Sequence, residues 1–367
     1  VIVPRGISNQ YLIEKNHLGL VADSLTEAVG LVKNMEEADY QEYVRHVREF
    51  SYLIRNGYFT KKFLIDAVQM IMRQDMTNHT VSTPAYEDAE YFSESAKKVV
   101  NVMDMHETLE YVKARQISIA RFGDGEIDLM TGHSIPYQDY DEELAGRLKQ
   151  IITMPDNEKL LVCLPDVFEK RERYNAECND FWNRHLEQYR NFYDEVISSE
   201  KCYGSTFFSR PYIDLADKSA SGKHFQNLKD LFSDKDVLIV EGVYSRSGVG
   251  NDLFQGAKSV ERIICPSRNA YKKYEVILDA VRRHGADKLI LLMLGPTAKV
   301  LACDLANEGY WAIDIGHIDS EYEWYRIGAT HKMKFKNKHT AEFNFDEHIE
   351  LQNDDTYVRE IVETLSD

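Results

Sequence analysis

The strongest local feature of the chain is the run Arg121-Phe122-Gly123-Asp124-Gly125-Glu126. Two carboxylates two residues apart in extended backbone project to the same side. The flanking glycines permit a tight turn and let a ligand approach the main chain closely. A hard divalent cation takes oxygen ligands and commonly shares them between one or two carboxylates and substrate phosphates. Asp124 and Glu126 are therefore candidate metal ligands. Arg121, just ahead, offers a fork for a carboxylate or phosphate. The plainer reading is a strand-ending turn with solvated acids and a surface arginine.

Three further stretches carry candidate groups. Glu241 to Asp252 is rich in glycine and serine, and its Arg246, Gly248 and Gly250 suit an anion held by backbone amides. It matches neither GxGxxG nor the P-loop spacing, and the plain alternative is a loop capped by Asn251 or Asp252. Gly295-Pro296-Thr297-Ala298-Lys299 opens a helix, where a lysine is unfavourable beside the positive dipole end unless an anion lies near. The plain alternative there is a solvated lysine. Asp314-Ile315-Gly316-His317-Ile318-Asp319 offers His317 for metal, phosphate or proton transfer. Tyr137, Tyr140, Tyr322, Trp324 and Tyr325 are weaker candidates for stacking on sugar or base, since aromatics more often fill cores.

These groups need a frame, and the apolar pattern supplies one. Strands are expected at Ser118–Phe122, Leu160–Leu164, Val237–Glu241, Arg262–Cys265, Lys288–Leu294 and Trp311–Ile315. Helices are expected at Asp141–Met154, Tyr271–Arg283 and Thr297–Ala306. Short unbroken apolar runs separated by helices indicate an α/β, mostly parallel sheet covered on both faces. Ligands gather at the carboxyl ends of such strands, where all four features fall. Lysines alternating over His331 to Lys338 suggest a protected edge strand, and Val358, Ile361, Val362 and Leu365 suggest a final packing helix. Earlier, helices are expected from Leu25, through Tyr40 to Phe50, and after Thr60, followed by a polar linker at Gln74 to Tyr86.

Composition narrows the classes. Hydrophobic residues make up 43% and charged residues 29%, as in soluble globular chains. With 61 acidic against 44 basic residues the formal net charge is −17, which argues against a nucleic-acid partner. There is no apolar run of membrane-spanning length and no signal-peptide pattern. The five cysteines are odd in number and form no CxxC pair, so neither a zinc site nor a disulfide framework is indicated, and a reducing cytoplasm fits. The chain opens on Val1 in mid-pattern, which suggests truncation.

Taken together, the Arg121 to Glu126 run, Thr206 to Asp214 with Ser209-Arg210-Pro211-Tyr212, the Glu241 to Asp252 loop, Cys265 to Ala270, Gly295 to Lys299 and Asp314 to His317 resemble the GT-D-type glycosyltransferases. That family was first described as a domain of unknown function and occurs in bacterial adhesin glycosylation. The resemblance spans about residues 105–345 and implies a Rossmann-like GT-D fold with an N-terminal helical appendage. It also implies Mn²⁺ (or Mg²⁺), an Asp-X-Glu motif at Asp124 and Glu126, and a UDP-sugar donor, often UDP-glucose. The implied acceptor is a glycan on a serine-rich repeat adhesin. His317 becomes a donor-site candidate, with Arg121, Gly123, Arg246, Gly248, Gly250, Asn269 and Lys299 around the donor. Residues 8–72 separately resemble the tail of a GT-B-type glycosyltransferase, implying a parent fusion cut within its first module.

The expected organisation is thus a helical segment at 1–75, a linker at 76–104, the transferase domain at 105–345 and a C-terminal helix at 346–367. A homo-oligomer is compatible with it. Asp319, Glu241 and Asp214 are the candidates for a base near the acceptor hydroxyl. Two rival readings use the same residues: a metal-dependent nucleotide or phosphosugar hydrolase, and a nucleotide-binding module without turnover.

Overall fold

The computed structural model describes residues 2–5, 10–15, 17–55, 100–169, 171–343, 346 and 348–365. The chain divides into two compact units, Val1–Ser93 and Glu94–Asp367. In the first, strand β1 (Ile2–Pro4) pairs in parallel with β2 (Leu20–Ala22), and helices α1 (Gln10–Lys15), α2 (Leu25–Lys33) and α3 (Glu37–Arg55) accompany them. Ser24 caps α2 by accepting from Glu27 N–H, and Glu27 returns the bond to Asp23 N–H at 2.7 Å. Only Ala28 of α2 is buried, while Leu25, Val29 and Val32 are exposed. The helix expected after Thr60 and the linker at Gln74 to Tyr86 lie outside the described residues.

The second unit is built on a nine-stranded sheet in which every pairing is parallel. Its strands are β3 (Asn101–Val102), β4 (Ser118–Arg121), β5 (Leu160–Leu164), β6 (Cys202–Ser205), β7 (Asp236–Gly242), β8 (Ser259–Cys265), β9 (Leu289–Met293), β10 (Trp311–Asp314) and β11 (Ile361–Thr364). In space they run β11-β8-β7-β9-β10-β4-β5-β6-β3. From β4 the chain steps outward through β5 and β6, then crosses to β7 and returns to β10 beside β4. The strand order therefore reverses between β4 and β10, the place where a crevice opens in such sheets.

Alternate strand residues feed two cores, one on each face. Leu238 and Val240 join one cluster while Val237 and Ile239 join the other. This two-sided burial is why the strands read as unbroken apolar runs. Helices α4 (Met105–Arg115), α5 (Asp124–Met130), α6 (Glu142–Thr153), α7 (Ala176–Gln188), α8 (Arg190–Val196), α9 (Ser221–Phe232), α10 (Tyr274–His284), α11 (Thr297–Asn307) and α12 (Ile318–Arg326) flank the sheet.

Two expectations at the carboxyl end fail. His331 to Lys338 forms no strand. Its Lys338 is buried against Asp319 and Glu323, and Lys332 pairs with Asp214 and Glu342. The final apolar group splits into a short helix α13 (Asp355–Glu360) and edge strand β11 on β8. The β-branched Ile361, Val362 and Thr364 suit a pleated edge better than a helix. Asn101–Val102, inside the stretch assigned to a linker, is the opposite edge strand.

Leu292 is fully buried in β9, between β7 and β10. Leu292→Ala should lower the unfolding free energy by about 2–5 kcal/mol, read from urea denaturation.

Candidate active site

β4 ends at Arg121, and the chain turns at Gly123 directly into α5. Asp124 and Glu126 are therefore the first and third residues of a helix, not of extended backbone. A two-residue helical step turns by roughly 200°, so the two carboxylates do not share one side as they would in a strand, although both border the cleft. Glu126 reaches back to Gly123 N–H at 2.8 Å and pairs with Lys299 at 2.9 Å. Asp124 opens into a cleft, and its carboxylate makes no ion pair or hydrogen bond to another of the described residues. Protein rings it closely enough that desolvation, and secondly the Glu126 charge, raise its carboxyl to about 6.

Lys299 sits in the first turn of α11 and is 5% exposed. The dipole penalty of that position is offset by two carboxylates, Glu126 and Asp314, the latter at 3.1 Å. Asp314, at the end of β10, also receives the Arg121 backbone N–H at 3.2 Å and its guanidinium at 3.4 Å. Arg121 further donates to Ser209 Oγ at 2.8 Å and to the Thr206 carbonyl at 3.2 Å. Four charges from β4, α5, α11 and β10 thus close one buried knot. Gly316 borders it with φ +51°, and a Cβ there would lie 1.6 Å from Arg121 Nη2. No side chain fits.

His317 precedes α12 and lines the same cleft. Its Nδ1 lies 3.3 Å from His339 Nε2, and His339 Nδ1 lies 2.7 Å from Asp346. Burial, then the neighbouring His339 and the cations Arg210 and Arg121, hold the His317 pKa well below its ordinary value. His317 is neutral at pH 7. Arg210 binds Asp214 at 2.7 Å and Glu342 at 2.6 Å, and Lys332 joins the same two acids. Burial pushes Glu342 upward, but Arg210 and Lys332 outweigh it and hold its carboxyl at about 2.

Several expected site residues are engaged in internal bonds. Asp319 lines the cleft but is saturated by Lys338 at 2.8 Å, Gly248 N–H at 2.7 Å and Asn251 at 2.8 Å. With three donors engaged it ties the Gly248 to Asn251 loop to the helix that it opens. Glu241 is wholly buried against Arg262 and the Ser247 N–H, so it cannot serve as a base. Asp214 does face the cleft, paired with Arg210.

Arg246 points away from the cleft, 4.6 Å over the Tyr357 ring and bonded to the Gln352 carbonyl. Gly248 and Gly250 (φ +82° and +78°) shape that loop, whose cleft-facing members are Tyr244, Ser245 and Ser247. Asn269 bonds both the N–H and the carboxylate of Asp139, each at 2.7 Å, and its own N–H meets the Tyr137 carbonyl. It positions Tyr137, the only member of the aromatic set that lines the cleft among the described residues. Trp324 is core, with Tyr322 and Tyr325 packed beside it. Arg210, Lys332, Glu342, His339 and Asp346 escaped sequence reasoning as site residues. All but Arg210 come from the irregular chain after α12, which has no periodicity to read.

The cleft encloses about 550 Å³, within the usual range for small-molecule sites. Eight carboxylates line it against five lysines and arginines among the described residues. None of the described residues gathers three His, Cys, Asp or Glu side chains in a group that could hold a metal. A cation here would need substrate oxygens besides Asp124, which is the usual habit of Mg²⁺-like ions. Asp124 fits such an ion. Glu126, as placed, is held by Lys299 and the Gly123 amide.

A polar cleft over the switch point of an all-parallel sheet defines the α/β class that binds nucleotide-like ligands. Residues 119–343 match the glycosyltransferase GT-D fold family, and residues 1–67 match the glucosyltransferase 3-like C-terminal domain. The chain belongs to the GT-D-fold glycosyltransferases. A solved structure described as domain of unknown function 1792 with a distinct glycosyltransferase fold is 57% identical, with TM-score 0.72 over 73% of this chain and 96% of that one. A glycosyltransferase of the same domain from Streptococcus sanguinis is 55% identical, with TM-score 0.71 over 73% of this chain and 100% of that one. The probable glycosyl transferase Gly of Streptococcus gordonii is 54% identical over 274 residues, 75% of this chain and 40% of that protein. Glycosyltransferase GlyD of Streptococcus pneumoniae is 50% identical over 264 residues, 72% of this chain and 32% of that protein. The chain thus spans less than half the length of these curated relatives. No helix among the described residues is long and apolar enough to cross a membrane.

The raised Asp124 carboxyl has a sign that can be tested. An acid whose pKa is higher folded than unfolded binds more protons in the native state, so its contribution to stability falls as pH rises from about 4 to 6. Because Asp124 is exposed to the cleft and solvent screens its charge, Asp124→Asn should raise the melting temperature only slightly at pH 8 and leave it unchanged at pH 4. Thermal unfolding at the two pH values checks this.

Proposed function

We propose that this chain transfers a hexose, glucose favoured, from a UDP-sugar to a glycan hydroxyl on a bacterial adhesin glycoprotein, in the cytoplasm. The observation that carries the reading is Asp124: an unpaired carboxylate facing the cleft beside a buried Lys299–Asp314–Arg121 knot. The names of relatives such as the Streptococcus gordonii transferase support the reaction class. The choice of UDP-glucose and of the adhesin acceptor rests on the family resemblance.

A donor diphosphate brings negative charge into a cleft whose lining is already net acidic. A divalent cation, Mn²⁺ or Mg²⁺, held by Asp124 would neutralise the charge that develops on the leaving diphosphate. The chain's own residues do the rest. Lys299 and Arg121 stand behind the Asp124 turn, balanced and held in place by Glu126 and Asp314. Neutral His317 offers a hydrogen bond without adding charge, with His339 and Asp346 fixing its orientation. The Ser245 to Ser247 turn after β7 supplies small polar groups on one side of the knot. Arg210, Asp214, Lys332 and Glu342 form a braced ionic wall on the cleft.

The test is a panel of UDP-sugars with Mn²⁺ and glycopeptides bearing O-linked mono- or disaccharides, read by mass spectrometry. One donor should give an acceptor-dependent gain of a single hexose, reduced about 100-fold or more in Asp124→Ala. Equal UDP release with and without acceptor would instead indicate a hydrolase. Undiminished transfer after exhaustive chelation would remove the metal from the account.

A further inference from the structure

Helix α7 contributes a wall of the cleft that the donor reaction does not use. Phe181 is the one large apolar side chain among the described residues that is both exposed, at 39%, and part of the cleft lining. A lone exposed hydrophobic residue needs no explanation on an open surface. This one is braced. Its ring stacks on His185 at 5.9 Å and 12°, and meets the edge of Trp182 at 5.3 Å and 87°. Trp182 and Cys178 anchor the helix in a buried cluster with Phe207. Burial lowers His185 to about 4, so the support beneath Phe181 is uncharged at neutral pH.

Polar groups flank the ring at helical spacing. Glu177 and Arg184, four residues before and three after Phe181, fall on the same helix face and also line the cleft. Glu177 is exposed, and its carboxylate makes no ion pair or hydrogen bond with another described residue. An apolar plate between a carboxylate and a guanidinium matches a pyranose ring, which offers C–H groups on its face and hydroxyls around its rim. Tyr189, which follows α7, donates to Asp128 of α5, one turn beyond Asp124, and so ties the plate to the catalytic turn.

The cleft runs to both sides of the knot. On the β7 and β8 side its wall is Gly242, Ser245, Ser247, Pro266 and Ser267, small residues that let a flat nucleotide approach the backbone. The α7 side is aromatic and charged. We propose that Phe181, with Glu177 and Arg184, forms the subsite that binds the acceptor's terminal sugar, stacked on the Phe181 ring. This rests on the transferase reading given above and adds which wall the acceptor occupies.

The experiment compares Phe181→Ala and Phe181→Trp with the unaltered chain in the glycopeptide assay, alongside UDP binding measured by calorimetry without acceptor. Phe181→Ala should raise acceptor KM about three- to tenfold, the worth of one aromatic contact, with kcat and UDP affinity within about twofold of the parent. Phe181→Trp should restore the acceptor KM. Because the ring is exposed, its removal spares the core. An unchanged acceptor KM in Phe181→Ala overturns the subsite while leaving transferase function intact. A loss of UDP affinity instead assigns the plate to the nucleotide and also overturns it. Absence of transfer by the unaltered chain to every glycopeptide defeats the reaction itself, and the subsite with it.

Discussion

Lys299 is an ammonium group buried at the start of a helix, where the backbone dipole opposes it, and it is tolerable only because Glu126 and Asp314 lie within 3.1 Å. Removing one partner from such a pair leaves an uncompensated buried charge, at a cost of about 3–5 kcal/mol. The pairing therefore fixes more than itself. It sets the direction of the α5 turn, leaves Asp124 facing the cleft, and holds Asp314 where it grips Arg121 through both backbone and guanidinium. Gly316 is then forced, since the space a side chain would need is taken by that guanidinium.

The sheet makes this closure possible. Ile313 of β10 pairs with Ile119 of β4, so the last residues of two strands far apart in the chain emerge side by side. β9 pairs with β10 on its other side and delivers Lys299 through the Gly295 turn. A second set of ties surrounds the first: Lys338 joins Asp319 and Glu323, and Asp319 in turn holds the Gly248 amide. These bonds fasten the Ser245 to Ser247 wall to the helix that follows His317. The chain uses several of its most reactive-looking groups as scaffolding.

How much of this was legible in the sequence depends on the range of the interaction. Leu160–Leu164 matches its strand residue for residue, and the strands and helices from Asp236 to Asp314 differ from expectation by a few residues at their ends. Unbroken apolar runs report two-sided burial, a local property. The C-terminal segment departs from the expected helix because its near-helical spacing spans two elements: Val358 lies in α13, while Ile361 and Val362 lie in the paired edge β11. The carboxyl-end rule located Asp124, Lys299 and His317 in one cleft, whereas the direction in which a side chain points depends on partners outside its own local segment, as for Lys299 with Glu126 and His317 with His339. Glu126 illustrates this: read as extended, it is Asp124's twin, but in a helix it becomes the partner of Lys299. Arg246 looked like a phosphate ligand and is instead stacked on Tyr357, a contact no local pattern signals.

The central claim is that the Glu126–Lys299 pair acts as one unit holding the Asp124 turn. A double-mutant cycle on unfolding free energy, with Glu126→Gln, Lys299→Met and both together, tests it most directly. Interacting buried charges should give strongly non-additive losses, with the double variant better than the sum of the singles by about 1–3 kcal/mol. Losses that add to within about 0.5 kcal/mol would mean the two residues act independently, and would contradict the account.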